Sequence, residues 1–344
     1  MNNASQPITP VGGTAFVDPE MILVAIPALN EARHIATTLA ALMNGTPDMA
    51  RVKIVVADGG STDGTVAIVQ DFARSHPNVH LIHNPERLQA AGINRVVRDC
   101  AEPGHEFLVR VDAHAHYPKG YVLAVAQSLV AHGTAALATV MDSIGTSCFQ
   151  RGVAFAMTSR IGSGGSGHRG GTESGYVDHG HHAGFRLDVW REVGGYNPTF
   201  AVNEDAELDH RIGLMGGKIW LDAMIRMEYV VRGSLAKLGR QYWKYGKGRA
   251  QTVLTHRLRP RPRQMVPPAI LIVNMLSIAL ALLFPIFLIL PLLYLGLLAV
   301  VALQLLVKFR SVCALWAAPA SLVMHQTWGA GFLWQLATLS RPKS

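Results

Sequence analysis

The stretch VKIVVADGGSTDGT, residues 52–65, is an apolar run broken only by Lys53, closed by Asp58, and followed by a glycine-rich turn that feeds a helical pattern over Thr65–Arg74. A strand that is apolar without alternation is buried on both faces, as in a parallel sheet covered by helices. The same unit recurs on both sides of it. Met21–Pro27 (MILVAIP) predicts a strand, with a helix over Glu31–Met43 behind Asn30 as N-cap. Val79–His83 and Leu88–Cys100 repeat the pair, and Phe107–Asp112 and Ala135–Val140 are further strands around a helix at Tyr121–His132. The expected fold class is α/β, a doubly wound, mostly parallel, Rossmann-like sheet.

Ligands of such sheets bind at the carboxyl ends of the strands. Polar residues gather at those ends: Asn30 and Glu31 after the first strand, Asp58 at the end of the second, Asp112 and His114 at the end of a later one. Each alone could be a turn residue, but three such ends on one side of one sheet make a site. Asp58 at a strand tip can accept a hydrogen bond from a base N–H, and the glycines after it let a ligand come close. No Walker lysine follows, which excludes a P-loop. The literal G-x-G-x-x-G at 162–167 follows a helical pattern rather than a strand, so it is no dinucleotide fingerprint. Asp112 and His114, two apart in an extended segment, point to one side and are candidate ligands for Mg²⁺ or Mn²⁺.

Asn203–Asp209 (NEDAELD) opens a helix running to about Met215. Acids in a first turn complement the helix dipole, which suffices for Glu207 and Asp209. Glu204 and Asp205 stand at the very start, where a carboxylate can project into a cleft and serve as general base. The group His179, Gly180, His181, His182 lacks the i, i+4 spacing of helical zinc sites. It can bind hydroxyls or phosphate, ligate a metal, or line a loop.

The chain has 344 residues, 49% hydrophobic and only 16% charged, with a net charge of +8. All 23 acidic residues lie within 1–231, alongside 17 basic ones, and the basic excess belongs to the C-terminal third. From Met265 to Val307 no residue is charged, enough for two spans with a turn near Phe284-Pro285; Ser311–Ser340 is a second uncharged stretch that can span, re-enter or lie at the interface. The cluster Arg257, Arg259, Arg261 and Arg263 before the first span, with Lys308 and Arg310 after the second, places both flanks on the cytoplasmic side. The polar N-terminus carries no signal-peptide pattern. The basic run then faces anionic lipid headgroups rather than nucleic acid, because it leads straight into an apolar span and base-stacking aromatics are not interleaved with it. Three scattered cysteines, none in a C-x-x-C pair, predict neither a disulfide nor a zinc site and a reduced, cytosolic-facing protein. The expected organisation is a disordered tail over 1–20, a catalytic domain over 21–260, and a membrane domain over 265–340.

Four motifs, VAIPALNE (24–31), VADGGSTDGT (56–65), VDAH (111–114) and NEDAELDHR (203–211), stand in the order and spacing of glycosyltransferase family 2, the inverting enzymes of the GT-A fold, and the resemblance covers roughly residues 20–260. The glycine-rich GSGGSGHRGG, the stretch ESGYVDHGHHAGFR and VGGYNP narrow it to the membrane-bound glucosyltransferases of bacterial exopolysaccharide (succinoglycan) assembly. The resemblance implies that Pro27, Asn30 and Glu31 line the nucleotide pocket, that Asp58 accepts from uracil, and that Asp112 is the first aspartate of the D-x-D metal motif, with His114 in place of the second. It implies that Asp205 is the base, beside Glu204. The Q-x-x-R-W signature of processive synthases is reduced to QYWKY (241–245), which points to single-sugar addition, with Gln241, Lys244, His181 and His182 as acceptor or diphosphate contacts. The partners implied are a UDP-sugar, a polyprenyl-diphosphate-linked saccharide and the lipids of the bacterial inner membrane, with the catalytic domain in the cytoplasm. Two other readings share these features: sugar transfer to a polyprenyl monophosphate, and a membrane-anchored nucleotide-sugar-binding protein without turnover.

Overall fold

The computed structural model describes residues 16–44, 46–165 and 167–339. The chain divides into two compact units, one comprising the residues up to Asp142 with Gly170–Tyr229, the other Ser143–Arg169 with Val230 onward. Most of the tail expected over 1–20 lies outside the described residues. Within the described part, Val17 is buried and Pro19–Met21 forms a 3₁₀ turn capped by the Asp18 carboxylate.

The first unit is built on an eight-stranded sheet of order β3-β2-β1-β4-β7-β5-β8-β6, the strands being β1 (Ile22–Ala28), β2 (Lys53–Asp58), β3 (Val79–His83), β4 (Phe107–Arg110), β5 (Ala136–Ile144), β6 (Gly175–Val177), β7 (His181–Arg186) and β8 (Ile219–Val230). The β3-β2-β1-β4 half is parallel throughout, whereas β7 runs antiparallel to both β4 and β5. The unbroken apolar runs have the predicted cause. Ile22, Val24 and Ile26 of β1 join one core with Ile35 and Leu39 of α1 (Ile35–Met43), Val69 of α2 (Thr65–Ser75) and Val122 and Val125 of α4 (Tyr121–His132). Leu23 and Ala25 face the other way, onto Ile93 and Val96 of α3 (Gln89–Cys100). The chain winds from β1 outward to β3 and returns to β4 on the other side of β1. That reversal opens a crevice at the strand ends.

Two expected boundaries move. α1 begins at Ile35 with His34 as its N-cap, not at Glu31. Asn30 has a left-handed backbone (φ 57°) and its side chain is spent elsewhere, so it cannot cap. β4 ends at Arg110 rather than Asp112, because the Asp112–Ala115 segment turns back on itself, the Ala115 amide donating to the Asp112 carbonyl.

The second unit holds α5 (Cys148–Thr158), the single turn α6 (Arg160–Ser163), α9 (Leu235–Thr255), α10 (Pro262–Ala281), α11 (Ile289–Phe309) and α12 (Ala317–Leu339); α7 (Leu187–Val193) and α8 (Glu204–Leu214) belong to the first. α10 and the stretch Pro285–Phe309 are long and apolar enough to cross a membrane, and Leu276, Leu292 and Leu303 on them are exposed. The turn between them falls at the predicted Phe284-Pro285. α12 lies so close to its neighbours that glycines are required: a Cβ on Gly331 would meet the Trp243 carbonyl of α9 at 2.2 Å, and one on Gly246 the Trp328 carbonyl at 2.1 Å. The cysteine expectation is corrected. Cys148 and Cys313 are joined in a disulfide, Cα atoms 5.0 Å apart, and Cys100 alone is free. They lie 165 residues apart and no spacing motif announces them; they meet because the 3₁₀ turn Val312–Trp316 packs on α5, so tightly that a Cβ on Gly152 would meet the Cys313 carbonyl at 2.3 Å.

Candidate active site

The tips of β1 and β2 are stitched together. Asn30 N–H donates to Ser61 Oγ (2.8 Å), Asn30 Oδ1 accepts from Thr62 N–H (2.9 Å), Glu31 N–H donates to Thr65 Oγ1 (2.8 Å), and Ala32 N–H donates to Asp63 Oδ2 (3.1 Å). The NE of one motif and the STDGT of the other therefore hold one another's backbone, and Asn30 belongs to that scaffold. Asp58 closes β2 almost fully buried. Its Oδ2 accepts from the amides of Gly60 and Ser61 (2.8 and 2.9 Å), while its Oδ1 is buried with no partner. A buried carboxylate oxygen without a donor is costly unless something supplies one. Pro27 pairs in register with Ala57, and Ala28 with Asp58, one step below this edge.

A second group gathers around Arg110, which the sequence reading passed over. It is 5% exposed at the end of β4, and its guanidinium meets Asp205 Oδ1 at 2.5 Å, the Tyr196 hydroxyl at 3.0 Å, Asp112 Oδ1 at 3.4 Å and Glu204 Oε1 at 3.8 Å. A strand charge inside the otherwise apolar FLVRV was the visible signal. Asp112 also faces His181 Nε2 (3.6 Å), and its backbone N–H donates to the Tyr117 hydroxyl (2.7 Å). His114 Nδ1 lies 2.9 Å from Glu31 Oε1, which links the end of β4 to the end of β1. The extended geometry expected for Asp112 and His114 does not hold, since they sit in a turn, but they remain close enough for the imidazole to help hold Asp112 ionised. Burial alone would raise the Asp112 carboxyl; Arg110, then His181 and His114, bring it below its ordinary range. Among the described residues no three His, Cys, Asp or Glu side chains form a ready-made metal cluster.

Helix α8 follows Asn203, whose backbone is left-handed (φ 67°), and so delivers Glu204 and Asp205 at its N-terminus toward Arg110. The two carboxyls part company. Burial and then the adjacent Asp205 charge raise Glu204 to about 7, whereas Asp205, which burial would raise, is driven well below the ordinary range by Arg110 and then His182 and His181. A carboxyl with a raised folded-state value binds its proton more tightly folded than unfolded, so its share of stability is full below the ordinary range and lost as pH rises toward 7. Glu204→Gln should therefore match the wild type near pH 4 and exceed it by up to about 3 kcal/mol at pH 8 in urea unfolding. Equal stabilities at both pH values would show that Glu204 is solvated. Glu207 pairs with Arg211 (2.7 Å), whose guanidinium also binds the carbonyls of Val193 and Gly195, so Glu207 is structural as expected. Asp209 is not merely a dipole complement: it accepts from His182 Nε2 (2.5 Å) and faces His179 Nδ1 (2.7 Å). Burial pushes His181 down to about 4. Gln241 and Lys244 lie on α9 in the second unit, where Gln241 Nε2 donates to the Tyr245 hydroxyl.

Residues 23–194 match the family model "Glycosyl transferase family 2". The chain is 40% identical over 338 residues to the succinoglycan biosynthesis protein ExoA of Rhizobium meliloti (strain 1021), covering 93% of this chain and 96% of that one. Among solved structures it is similar to the mannosyltransferase PcManGT from Pyrobaculum calidifontis in complex with GDP-Man and Mn²⁺ (TM-score 0.57, 20% identity, 94% of this chain and 90% of that). It is also similar to GalNAc-T7 with UDP, GalNAc and Mn²⁺ (TM-score 0.50, 15% identity, 70% and 51%). The fold is thus the GT-A fold, and the chain belongs to glycosyl transferase family 2.

Proposed function

We propose that this chain is an inverting glucosyltransferase that moves glucose from UDP-glucose to a hydroxyl of a polyprenyl-diphosphate-linked saccharide. In this reading it works at the cytoplasmic face of the bacterial inner membrane, in the assembly of a succinoglycan-like exopolysaccharide. The catalytic domain covers residues 21–260 and the membrane domain 265–340. The observation that carries the reading is the bridge made by Arg110, which sets Asp205 beside Asp112 at the ends of one sheet. The relative active in succinoglycan biosynthesis supports the pathway, and the apolar α10 and α11 support the membrane site.

Asp58 Oδ1 accepts the N–H of the uracil ring. Asp205 takes the proton of the acceptor hydroxyl as that oxygen attacks the anomeric carbon in line and inverts it. A carboxylate of low basicity serves here, because the hydroxyl becomes strongly acidic only as its new bond forms. Asp112, ionised and only partly exposed, and His114 would hold a divalent cation that leaves further positions to phosphate oxygens and water. Mg²⁺ or Mn²⁺ bound there would neutralise the departing diphosphate. The solved neighbours that carry Mn²⁺ support this use of the site. Gln241, Lys244 and His181 remain proposed contacts of the acceptor or diphosphate, whereas His182, buried with its ring nitrogens against Tyr196 and Asp209, does not reach either.

Asp58→Asn tests the donor end. Oδ2 must keep accepting from Gly60 and Ser61, so the new amide NH₂ takes the place of Oδ1 and opposes the ring N–H. UDP affinity by calorimetry should fall about 10–100-fold. Unchanged affinity would remove Asp58 from the base pocket.

A further inference from the structure

Helix α8 places a second carboxylate, Asp209, one turn beyond Asp205, and i, i+4 residues share a helix face. His182, fully buried on β7, lies against both. Its Nε2 is 2.5 Å from Asp209 Oδ1, its Nδ1 is 2.9 Å from the Tyr196 hydroxyl oxygen and 3.6 Å from Asp205 Oδ1. Asp209 is itself anchored, through Oδ2, to His179 Nδ1 (2.7 Å) and the Gly180 amide (3.4 Å). The Tyr196 hydroxyl in turn receives Arg110 Nη1 at 3.0 Å and lies 3.4 Å from Asp205 Oδ1.

We propose that His182, held by Asp209, is a positioning residue that acts through the Tyr196 hydroxyl to orient Asp205. The proposal rests on Asp205 being the base. It follows from counting donors. The hydroxyl has one proton and two lone pairs; a guanidinium can only donate and a carboxylate only accept. Nε2–H faces Asp209, so Nδ1 decides the outcome. When Nδ1 carries a proton it donates to Tyr196, both lone pairs are filled by Arg110 and His182, and the hydroxyl proton can go only to Asp205. When Nδ1 is bare it captures that proton, and Asp205 loses the hydroxyl and keeps Arg110 as donor. Burial works against the charged imidazole, but Asp209 and then Asp205 raise His182 above its ordinary value, which favours the first arrangement. The other titratable groups near His182 are Arg110 on β4, which is charged, and the adjacent His181, which burial keeps neutral. The Tyr196 ring is fixed independently, stacking edge-on to Trp190 (centroids 5.0 Å), and its backbone is pinned to Asn94 at both N–H and C=O. Tyr196→Phe therefore leaves the ring in place and removes only the hydroxyl with its bonds to Arg110, His182 and Asp205.

The test measures transfer from radiolabelled UDP-glucose by the full chain in membranes. Tyr196→Phe and Asp209→Asn should each lower kcat about tenfold with the donor KM within about twofold, the pattern of an interaction made in the transition state. The double variant should be no slower than Tyr196→Phe, since Asp209 acts through the hydroxyl that is already gone. Losses that multiply, a raised KM at wild-type kcat, or wild-type rates in Tyr196→Phe would overturn the proposal. A separate reading needs no turnover: in the imidazole ¹⁵N spectrum of the full chain in detergent, both ring nitrogens of His182 should be protonated, with Nδ1 bare in Asp209→Asn. A bare Nδ1 in the wild type would overturn it too. The two claims fail differently, because an active Asp205→Asn would sink the base assignment, whereas an inactive Asp205→Asn beside fully active Tyr196→Phe and Asp209→Asn would sink the positioning role alone.

Discussion

Asp205→Asn should lower kcat for sugar transfer about 10²–10⁴-fold while UDP binds within about twofold of the wild type. Asparagine is nearly the same shape, can still accept from Arg110, and leaves Asp58 and the stitched tips of β1 and β2 untouched. What it cannot do is take a proton from the attacking hydroxyl. Loss of activity with intact UDP binding thus separates chemistry from donor recognition. A variant as active as the wild type would move the base to another group, with Glu204 next in line.

Arg110→Met should have the largest effect on stability. The guanidinium is buried against Asp205, Asp112 and Glu204, and removing one partner of a buried charge cluster strands the others. The expected cost is about 3–5 kcal/mol, seen as a lower urea midpoint at neutral pH. The pH dependence carries the sign. Asp205 and Asp112 have folded-state values below their ordinary range, so the stability they draw from Arg110 is present above the ordinary carboxylate range and lost as pH falls through the folded values. The gap between wild type and variant should close in acid. A gap independent of pH would mean that Arg110 acts through packing alone.

The parallel half of the sheet was legible because burial on both faces leaves no polar residue to alternate. VKIVVAD, MILVAIP and FLVRV could hardly be read otherwise, and Asp58 and Asp205 stand at the strand end and the helix start expected of them, with Asp112 in the turn two residues past the end of β4. Two kinds of feature were hidden. Local competition shifted the starts and stops: Asn30, whose side chain is committed to Thr62, cannot also cap α1, and the turn at Asp112–Ala115 ends β4 early. Long-range partnerships were invisible for a different reason. Nothing near Cys148 announces Cys313, and nothing near Asp209 announces His182, because each pair is made by elements that meet only in the folded chain. Arg110 lay between, a lone charge in a buried strand that signalled a partner without saying which.

The most direct test of the central claim is label transfer from UDP-[¹⁴C]glucose to the lipid extract of membranes with and without the chain, in Mn²⁺ and in EDTA. The account predicts label in a diphosphate-linked oligosaccharide only where the chain is present, lost in EDTA and restored by Mn²⁺. Tight binding of UDP with no transfer from any UDP-sugar would contradict it.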